Sequence, residues 1–364
     1  MRLQETTRPL NIVFRVDSSQ EIGSGHLMRC LTLAGRLATR ARITFVCRNL
    51  NQHLGWLVER AGYRLLLLPE AEENPCLHGY AKWLTVTQDV DAAQTRTVLN
   101  NEVVDCLVVD SYALDAEWEE QLRPMAKKLL VIDDLANRAH QCDILLDQNY
   151  YSDMNERYTR LVPGYCELLL GPDYVLLRDE FYRMKDQVNV RDGRINNLFV
   201  FFGGSDLSNE TMKTLQAIVR LDTKDFMVNV VVGAANRHKH RIEQFCREHH
   251  WTHYHHQVDN IAAMMGTADL AIGAGGVTTW ERCYLGLPSL VVSVAENQVE
   301  VSENCANIGL VTYLGQAVGV DGPMIAKHLE AACGGREANA VMSRRCLEFM
   351  AGNTNQSDVI LRLL

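Results

Sequence analysis

The chain has 364 residues, room for about two domains at roughly 150 residues each. With 47% hydrophobic and 22% charged residues it has ordinary globular usage, which excludes disordered, collagen-like and polar-repeat chains. Lys plus Arg number 36 against 45 Asp plus Glu, and the net charge of −9 offers no overall electrostatic footprint for nucleic acid.

Met1–Arg8 is polar and lacks the apolar run of a signal peptide. The longest apolar runs, such as Leu65–Leu68 and Leu129–Ile132, fall far short of the roughly 20 residues of a membrane helix, so a cytoplasmic protein without a membrane partner is expected. Short β-rich runs then alternate with segments of helical period: Ile12–Val16, Leu27–Arg40, Ile43–Cys47, Val103–Val109 and Leu129–Ile132. That alternation predicts βαβ units and a parallel sheet. In the first helix Leu27, Cys30, Leu31, Ala34, Leu37 and Ala38 recur at three- and four-residue intervals and form one apolar face. The polar stretch from Arg183 to Asn197 reads as a domain boundary, giving an N-terminal domain over 1–190 and a C-terminal one over 195–364. After it the rhythm restarts with strands at Leu198–Phe202, Met227–Val232, Leu270–Ile272 and Leu290–Val294 and helices around Arg241–His249 and from about Thr278. Eleven cysteines without a Cys-x-x-Cys pair fit reduced, mostly buried thiols.

The chemistry gathers at strand ends, where ligands bind in open α/β sheets. The loop from Asp17 to His26 joins the first strand to the first helix, and Gly23 and Gly25 let its backbone approach a ligand. His26 falls in the first helical turn, where the positive end of the helix dipole favours a neutral imidazole, a usable general base. Met28 stands where a dinucleotide fingerprint needs its third glycine, and no Walker-type phosphate loop occurs, which disfavours NAD, FAD and ATP chemistry.

Gly203, Gly204 and Ser205 occupy the equivalent place in the second half. The run Gly273-Ala274-Gly275-Gly276-Val277-Thr278-Thr279-Trp280-Glu281 puts three glycines and two hydroxyls ahead of a helix. Such a nest of N–H groups suits a diphosphate, and Glu281, one turn further, can accept from ribose hydroxyls. Ala295-Glu296-Asn297-Gln298 follows the next strand. Asp89-Val90-Asp91 reads as helix N-terminal charge rather than a metal–diphosphate clamp. The histidines at 249, 250, 253, 255 and 256 read as an exposed helix-to-strand connection, and Asp133-Asp134 with Asp143 and Asp147 as structural or lining acids.

RVDSSQEIGSGHLMRCLTLA, VIDDLANRAHQCDILLDQNYY, LLGPDYVLLRDEF, FFGGSD and GAGGVTTWERCYLGLP with AENQ, taken together, resemble the UDP-2,4-diacetamido-2,4,6-trideoxy-beta-L-altropyranose hydrolases of pseudaminic acid biosynthesis. GAGGVTTWE to GLP is similar to the UDP-binding half of the peptidoglycan N-acetylglucosaminyltransferases. The resemblance implies an α/β GT-B architecture, two Rossmann-like domains facing an interdomain cleft, with a last helix that packs back on the N-terminal domain. It implies His26 as the catalytic residue and Tyr112, Asn149, Arg178 and Asn297 as substrate-binding, and Asp17 and Gly25 of the first loop are expected to join them. UDP then falls to Gly203, Gly204, Ser205, Gly275, Gly276, Val277, Thr278, Glu281 and Gln298. The implied reaction is hydrolysis of a UDP-sugar; inversion, no cofactor, no metal and a monomer are expected. A GT-B glycosyltransferase, a non-catalytic UDP-sugar binding protein and, more distantly, an NAD-dependent epimerase or dehydrogenase are the alternatives.

Overall fold

The computed structural model describes residues 8–70, 77–222, 224–353 and 357–364. The polar N-terminus read above lies, apart from Arg8, outside the described residues. The chain divides into two compact units, one of Met1–Gln148, Asp153–Leu176 and Gln356–Leu364, the other of Asn149–Ser152 and Leu177–Asn355. The main crossing comes at Leu177, and the polar stretch 183–197 lies within the second unit.

The first unit holds a seven-stranded sheet of β1 Leu10–Val16, β2 Ala41–Arg48, β3 Arg64–Leu68, β4 Val104–Asp110, β5 Ala126–Ile132, β6 Ile144–Asp147 and β7 Glu167–Leu170. Its order is β3-β2-β1-β4-β5-β6-β7 and every pairing is parallel. A parallel sheet needs cover on both faces. Ile12, Phe14 and Val16 of β1 pack with Leu27, Cys30, Leu33, Ala34 and Leu37 on one face, while Val13 packs with Leu107, Trp118 and Leu122 on the other. The first helix is Gly25–Leu37, shorter than its apolar period suggested. It stops because the chain must turn back into β2 at Ala41, so Ala38 is exposed and Leu33 takes its place in the core. The helix Ser357–Leu363 adds Ile360 to the same core.

The second unit repeats the plan with β8 Asn197–Phe201, β9 Met227–Val232, β10 Thr252–His256, β11 Leu270–Ala274, β12 Ser289–Ser293 and β13 Thr312–Gln316, in the order β10-β9-β8-β11-β12-β13, again parallel. In both sheets the strand order reverses beside the first strand of the unit, between β1 and β4 and between β8 and β11. Helices leave such strands on opposite faces, which opens a crevice at their carboxyl ends. The His26 loop and Asp110 stand at that place in the first unit, and the 203–205 and 275–278 loops in the second.

A buried charge cluster fastens the first sheet to its helices. Asp91, in the first turn of the helix Gln88–Val98, is fully buried and takes Arg15 Nη2 at 2.7 Å, Arg48 Nη2 at 2.5 Å and the Trp118 indole N–H at 3.0 Å. Asp91 thus opens a helix, as its position in the sequence suggests, but its carboxylate neutralises two strand arginines instead of facing solvent. Removing one partner of a buried pair typically costs about 3–5 kcal/mol because the other charge is left bare. Asp91→Ala, which strands the Arg48 guanidinium and leaves Arg15 only Asp17, should lower the urea unfolding free energy by about that amount, with the first unit losing its cooperative transition.

Candidate active site

His26 is the second residue of its helix, and the loop before it is closed by Ser19, whose carbonyl takes Gly23 N–H at 2.9 Å and whose Oγ takes Ile22 N–H at 3.1 Å. Gly23 has φ +79°, a conformation that favours glycine. A Cβ on Gly25 would meet open space, so nothing in the fold crowds the start of the helix.

His26 Nδ1 lies 2.6 Å from Oδ1 of Asp110, the last residue of β4. Asp110 is buried and also takes Arg29 Nε at 2.6 Å, Arg29 Nη2 at 2.7 Å and the Cys30 thiol at 3.4 Å. Burial raises the Asp110 carboxyl, but the charges and hydrogen bonds of Arg29 and His26 outweigh it and hold the group well below the usual carboxylate range. An ionised carboxylate only accepts, so Nδ1, which Arg29 Nη2 also approaches to 3.2 Å, carries the hydrogen, and the ring in its neutral form then accepts at Nε2.

Arg29 Nη1 reaches Asp134 at 3.0 Å, and Asp134 in turn accepts the Tyr112 hydroxyl. Burial pushes the Tyr112 phenol up and Asp134 adds to it, so Tyr112 is a neutral donor. The Tyr112 ring meets the His26 ring edge-on at 4.5 Å. Trp83 stacks on Tyr112 at 5.6 Å and, with Tyr80, completes an aromatic corner beside the histidine. Sequence reasoning missed Asp110, Arg29, Tyr80 and Trp83. Asp110 left one signal, an acid closing the otherwise apolar run CLVVD.

The loop that carries Asp134 is held rigidly. Asp133 takes Arg138 Nη1 at 2.7 Å, the Tyr158 hydroxyl at 3.1 Å and the backbone N–H groups of Leu135 and Ala136, and Arg138 also bonds the carbonyls of Ser111 and Leu114. Asp143 pairs with Arg123, and Asp147 accepts from Tyr158 at 3.0 Å. These acids are structural, apart from Asp134, which the Arg29 bond joins to the His26 cluster. Asp17 turns inward, 2.6 Å from both Arg15 Nη1 and the Arg48 backbone N–H.

In the second unit Gly276 sits at φ +95° ahead of the helix Val277–Tyr284, and a Cβ on Gly275 would stand 2.9 Å from Ser302 Oγ and 3.1 Å from Gln298 Cβ. Only glycine lets the 275–278 loop seat against Gln298, whose Oε1 accepts Val294 N–H at 3.0 Å. Asn297 lies beside it in the turn Glu296–Gln298. Gly203 has φ +87°, Gly204 packs where a Cβ on Gly233 would collide with it, and Ser205 is half-buried. Glu281 Oε1 accepts Arg178 Nε at 3.2 Å and Nη2 at 2.9 Å, while Arg178 Nη1 meets Glu180 at 2.9 Å. Asn149 Oδ1 accepts the Trp280 indole N–H at 2.9 Å. Arg178 and Asn149 therefore brace the helix that follows the glycine loop. His253, His255 and His256 belong to the edge strand β10, not to a connection, because their backbone pairs with β9; His255 also faces Asn229 and His249 stacks on Phe245. Among the described residues no group of three or more His, Cys, Asp or Glu side chains is arranged to hold a metal ion, and no helix is long and apolar enough to cross a membrane.

His140 gives the first unit a pH signature. Its Nδ1 lies 2.7 Å from Glu119 and its Nε2 3.8 Å from Asp133. Burial favours the neutral ring, but Asp133 and Glu119 outweigh it and raise the imidazolium to about 9. A raised histidine stabilises the fold fully below its ordinary value of about 6.5 and loses that contribution as pH climbs through the folded value. Melting temperature should therefore fall between pH 6.5 and about 9 in the native chain, and fall less steeply in His140→Gln.

Residues 198–313 match the glycosyltransferase family 28 C-terminal domain. The chain is 25% identical over 297 residues to an uncharacterized protein of Methanocaldococcus jannaschii, a match covering 80% of this chain and 57% of that longer protein. It is 25% identical over 301 residues to the spore coat polysaccharide biosynthesis protein SpsG of Bacillus subtilis, covering 82% of each. It is 24% identical over 290 residues to the UDP-2,4-diacetamido-2,4,6-trideoxy-beta-L-altropyranose hydrolase of Campylobacter jejuni, covering 79% of this chain and 93% of that one. Among solved structures, MurG of Acinetobacter baumannii superposes with a TM-score of 0.62 at 12% identity, covering 98% of this chain and 99% of that one. A UDP-glucosyltransferase from Polygonum tinctorium gives 0.68 at 13% identity, with the same two coverages. The fold is that of the GT-B glycosyltransferases, and the resemblance to the altropyranose hydrolases read from the motifs is borne out by a relative of that name matching four-fifths of the chain.

Proposed function

We propose that this protein is a cytoplasmic enzyme that hydrolyses UDP-2,4-diacetamido-2,4,6-trideoxy-beta-L-altropyranose to UDP and 2,4-diacetamido-2,4,6-trideoxy-L-altropyranose in pseudaminic acid biosynthesis. The observation that carries the reading is the His26–Asp110 pair, an imidazole whose Nδ1 is anchored by a buried anion, in a chain similar to a hydrolase of that name. Anchoring one ring nitrogen fixes the tautomer and the direction of the other, the logic of a base and its orienting acid.

In the proposed reaction a water oxygen attacks C1 of the sugar opposite the diphosphate and its proton passes to His26 Nε2. The C1–O bond breaks, its electron pair goes to the diphosphate oxygen, and UDP leaves with inversion at C1. Asp110 stabilises the imidazolium that forms. The backbone N–H groups at Gly276–Thr278 take the growing charge of the diphosphate, which allows the step to proceed without a metal. Glu281, oriented by Arg178, accepts from the ribose. Gly203, Gly204, Ser205 and Gln298 line the nucleotide, and Asn297, Tyr112 and Gly25 the sugar.

A sugar-transferring enzyme is the second reading, favoured by the glycosyltransferase family 28 match over 198–313. There the same base deprotonates an acceptor hydroxyl. Proton NMR of the UDP-sugar with enzyme in EDTA and no acceptor separates the two. Release of UDP and free sugar with an inverted anomeric signal is expected, and an unchanged spectrum that changes only when a hydroxyl acceptor is added would establish the transferase.

A positioned general base contributes about 10²- to 10⁴-fold. His26→Ala should lower kcat by that factor while UDP still binds. Asp110→Asn, which can donate to Nδ1 and so favour the wrong tautomer, should lower kcat by about 10²-fold or more with a small change in KM. Unchanged kcat in either variant would overturn the assignment.

A further inference from the structure

Arg282 is 1% exposed, yet its partners are three oxygens, none of them a carboxylate. Nη2 donates to the Ala274 carbonyl at 3.0 Å and to Thr279 Oγ1 at 3.1 Å, Nη1 donates to Thr278 Oγ1 at 3.2 Å, and Nε is buried with no partner. Burial pulls the guanidinium down to about 10, so it remains charged at neutral pH. Three buried arginines of the first unit behave differently: Arg15, Arg29 and Arg48 each face at least one carboxylate. Glu281, the preceding residue, spends its Oε1 on Arg178 and acts on Arg282 through space, without a hydrogen bond to it.

The placement of this charge is specific. Its hydrogen bonds run to residues 274, 278 and 279, so the guanidinium lies directly beneath the glycine loop and the first turn of the helix Val277–Tyr284. Gly273 is required first by the neighbouring strand, since a Cβ there would stand 2.3 Å from the Phe201 carbonyl oxygen, and the same side of it faces Arg282 Nη1, 3.1 Å from that Cβ position. By accepting from Nη1, the half-buried Thr278 is left to donate its own hydroxyl hydrogen elsewhere. A buried charge without a counter-ion is costly to a fold, and the cost is recovered when an anion arrives.

We propose that Arg282 is a built-in counter-cation for the diphosphate of the nucleotide: a positioning residue beneath the loop, charged in advance, that makes the 275–278 amides and the Thr278 hydroxyl selective for a diphosphate over an uncharged nucleoside. The inference rests on the nucleotide reading above. It separates the energetics of the empty and filled states: the free chain carries the desolvation penalty of Arg282, and the bound chain is relieved of it.

The test compares the full chain with Arg282→Met and Arg282→Lys by calorimetric titration with UDP and with uridine, and by thermal melting with and without each. Arg282→Met should bind UDP roughly 10- to 100-fold more weakly, by the attraction of one screened charge, with uridine affinity unchanged. Its ligand-free melting temperature should equal or exceed that of the native chain, and its UDP-induced shift should shrink. Arg282→Lys, which keeps the charge, should hold UDP within a few-fold. The salt dependence of UDP binding should be shallower in Arg282→Met than in the native chain. Equal UDP affinity in native and Met chains overturns the proposal, as does an equal fractional loss of UDP and uridine, which marks a collapsed loop. Failure of the Met chain to fold, together with a Lys chain that binds UDP as poorly as uridine, also overturns it. If the native chain does not bind UDP at all, the nucleotide reading falls, and this inference with it.

Discussion

One buried carboxylate organises the first unit's end of the sheet. Asp110 has no access to water, so its charge exists only because Arg29 and His26 supply donors from a single helix face, three residues apart. Those bonds tie the helix Gly25–Leu37 to β4 alongside the apolar contacts of Leu27 and Leu33. They also decide the chemistry of the histidine, since a donor held at Nδ1 leaves Nε2 as the acceptor. The same guanidinium extends the constraint to Asp134, and through it to Tyr112 and the aromatic corner. Structure and reactivity here are one network, in which no member can be withdrawn without stranding a charge or an orphaned donor.

Parallel sheets put this network where it is. With β1 and β4 adjacent and their helices leaving on opposite faces, the carboxyl ends of both strands abut one crevice. Polar groups collect there because helix N-termini and strand ends bring unpaired backbone N–H groups that an apolar core could not satisfy. The second unit uses the same place differently. It presents bare glycine loops and a helix start, and reserves its side chains Arg178, Asn149 and Gln298 for bracing Glu281, Trp280 and Gly275 from behind.

The layers and strand positions were legible because apolar runs of four to eight residues punctuated by glycine-rich turns have few other solutions. Met227–Val232 was read to the residue, and the loops at 17–26, 203–205 and 273–281 were recognised as strand ends. What escaped was long-range pairing. Nothing local to CLVVD says that its aspartate meets a histidine 84 positions earlier, and nothing in DVD says that Asp91 meets Arg15 and Arg48. Tyr80 and Trp83 were overlooked because a short 3-10 turn, Gly79–Leu84, has no periodic signature. The histidine-rich run misled for a related reason: exposed polar residues on an edge strand look like a loop when only one of the strand's faces is seen.

The two units pair most of their buried charges, and differ at one of them. In the first, each carboxylate at the strand ends finds a guanidinium or a hydroxyl, and the cluster is complete before any ligand arrives. Such closure suits a group that must hold one orientation through a proton transfer, because a preorganised site needs no rearrangement as charge moves. In the second, Arg282 is desolvated with hydrogen bonds to neutral oxygens alone. An incomplete charge balance beneath an open amide nest is a poor device for stability and a good one for capture, since the missing anion is then the strongest partner the loop can find. On the proposed hydrolysis, a base held still and a nucleotide that must be released are reasons to place the closed network under one and the open network under the other.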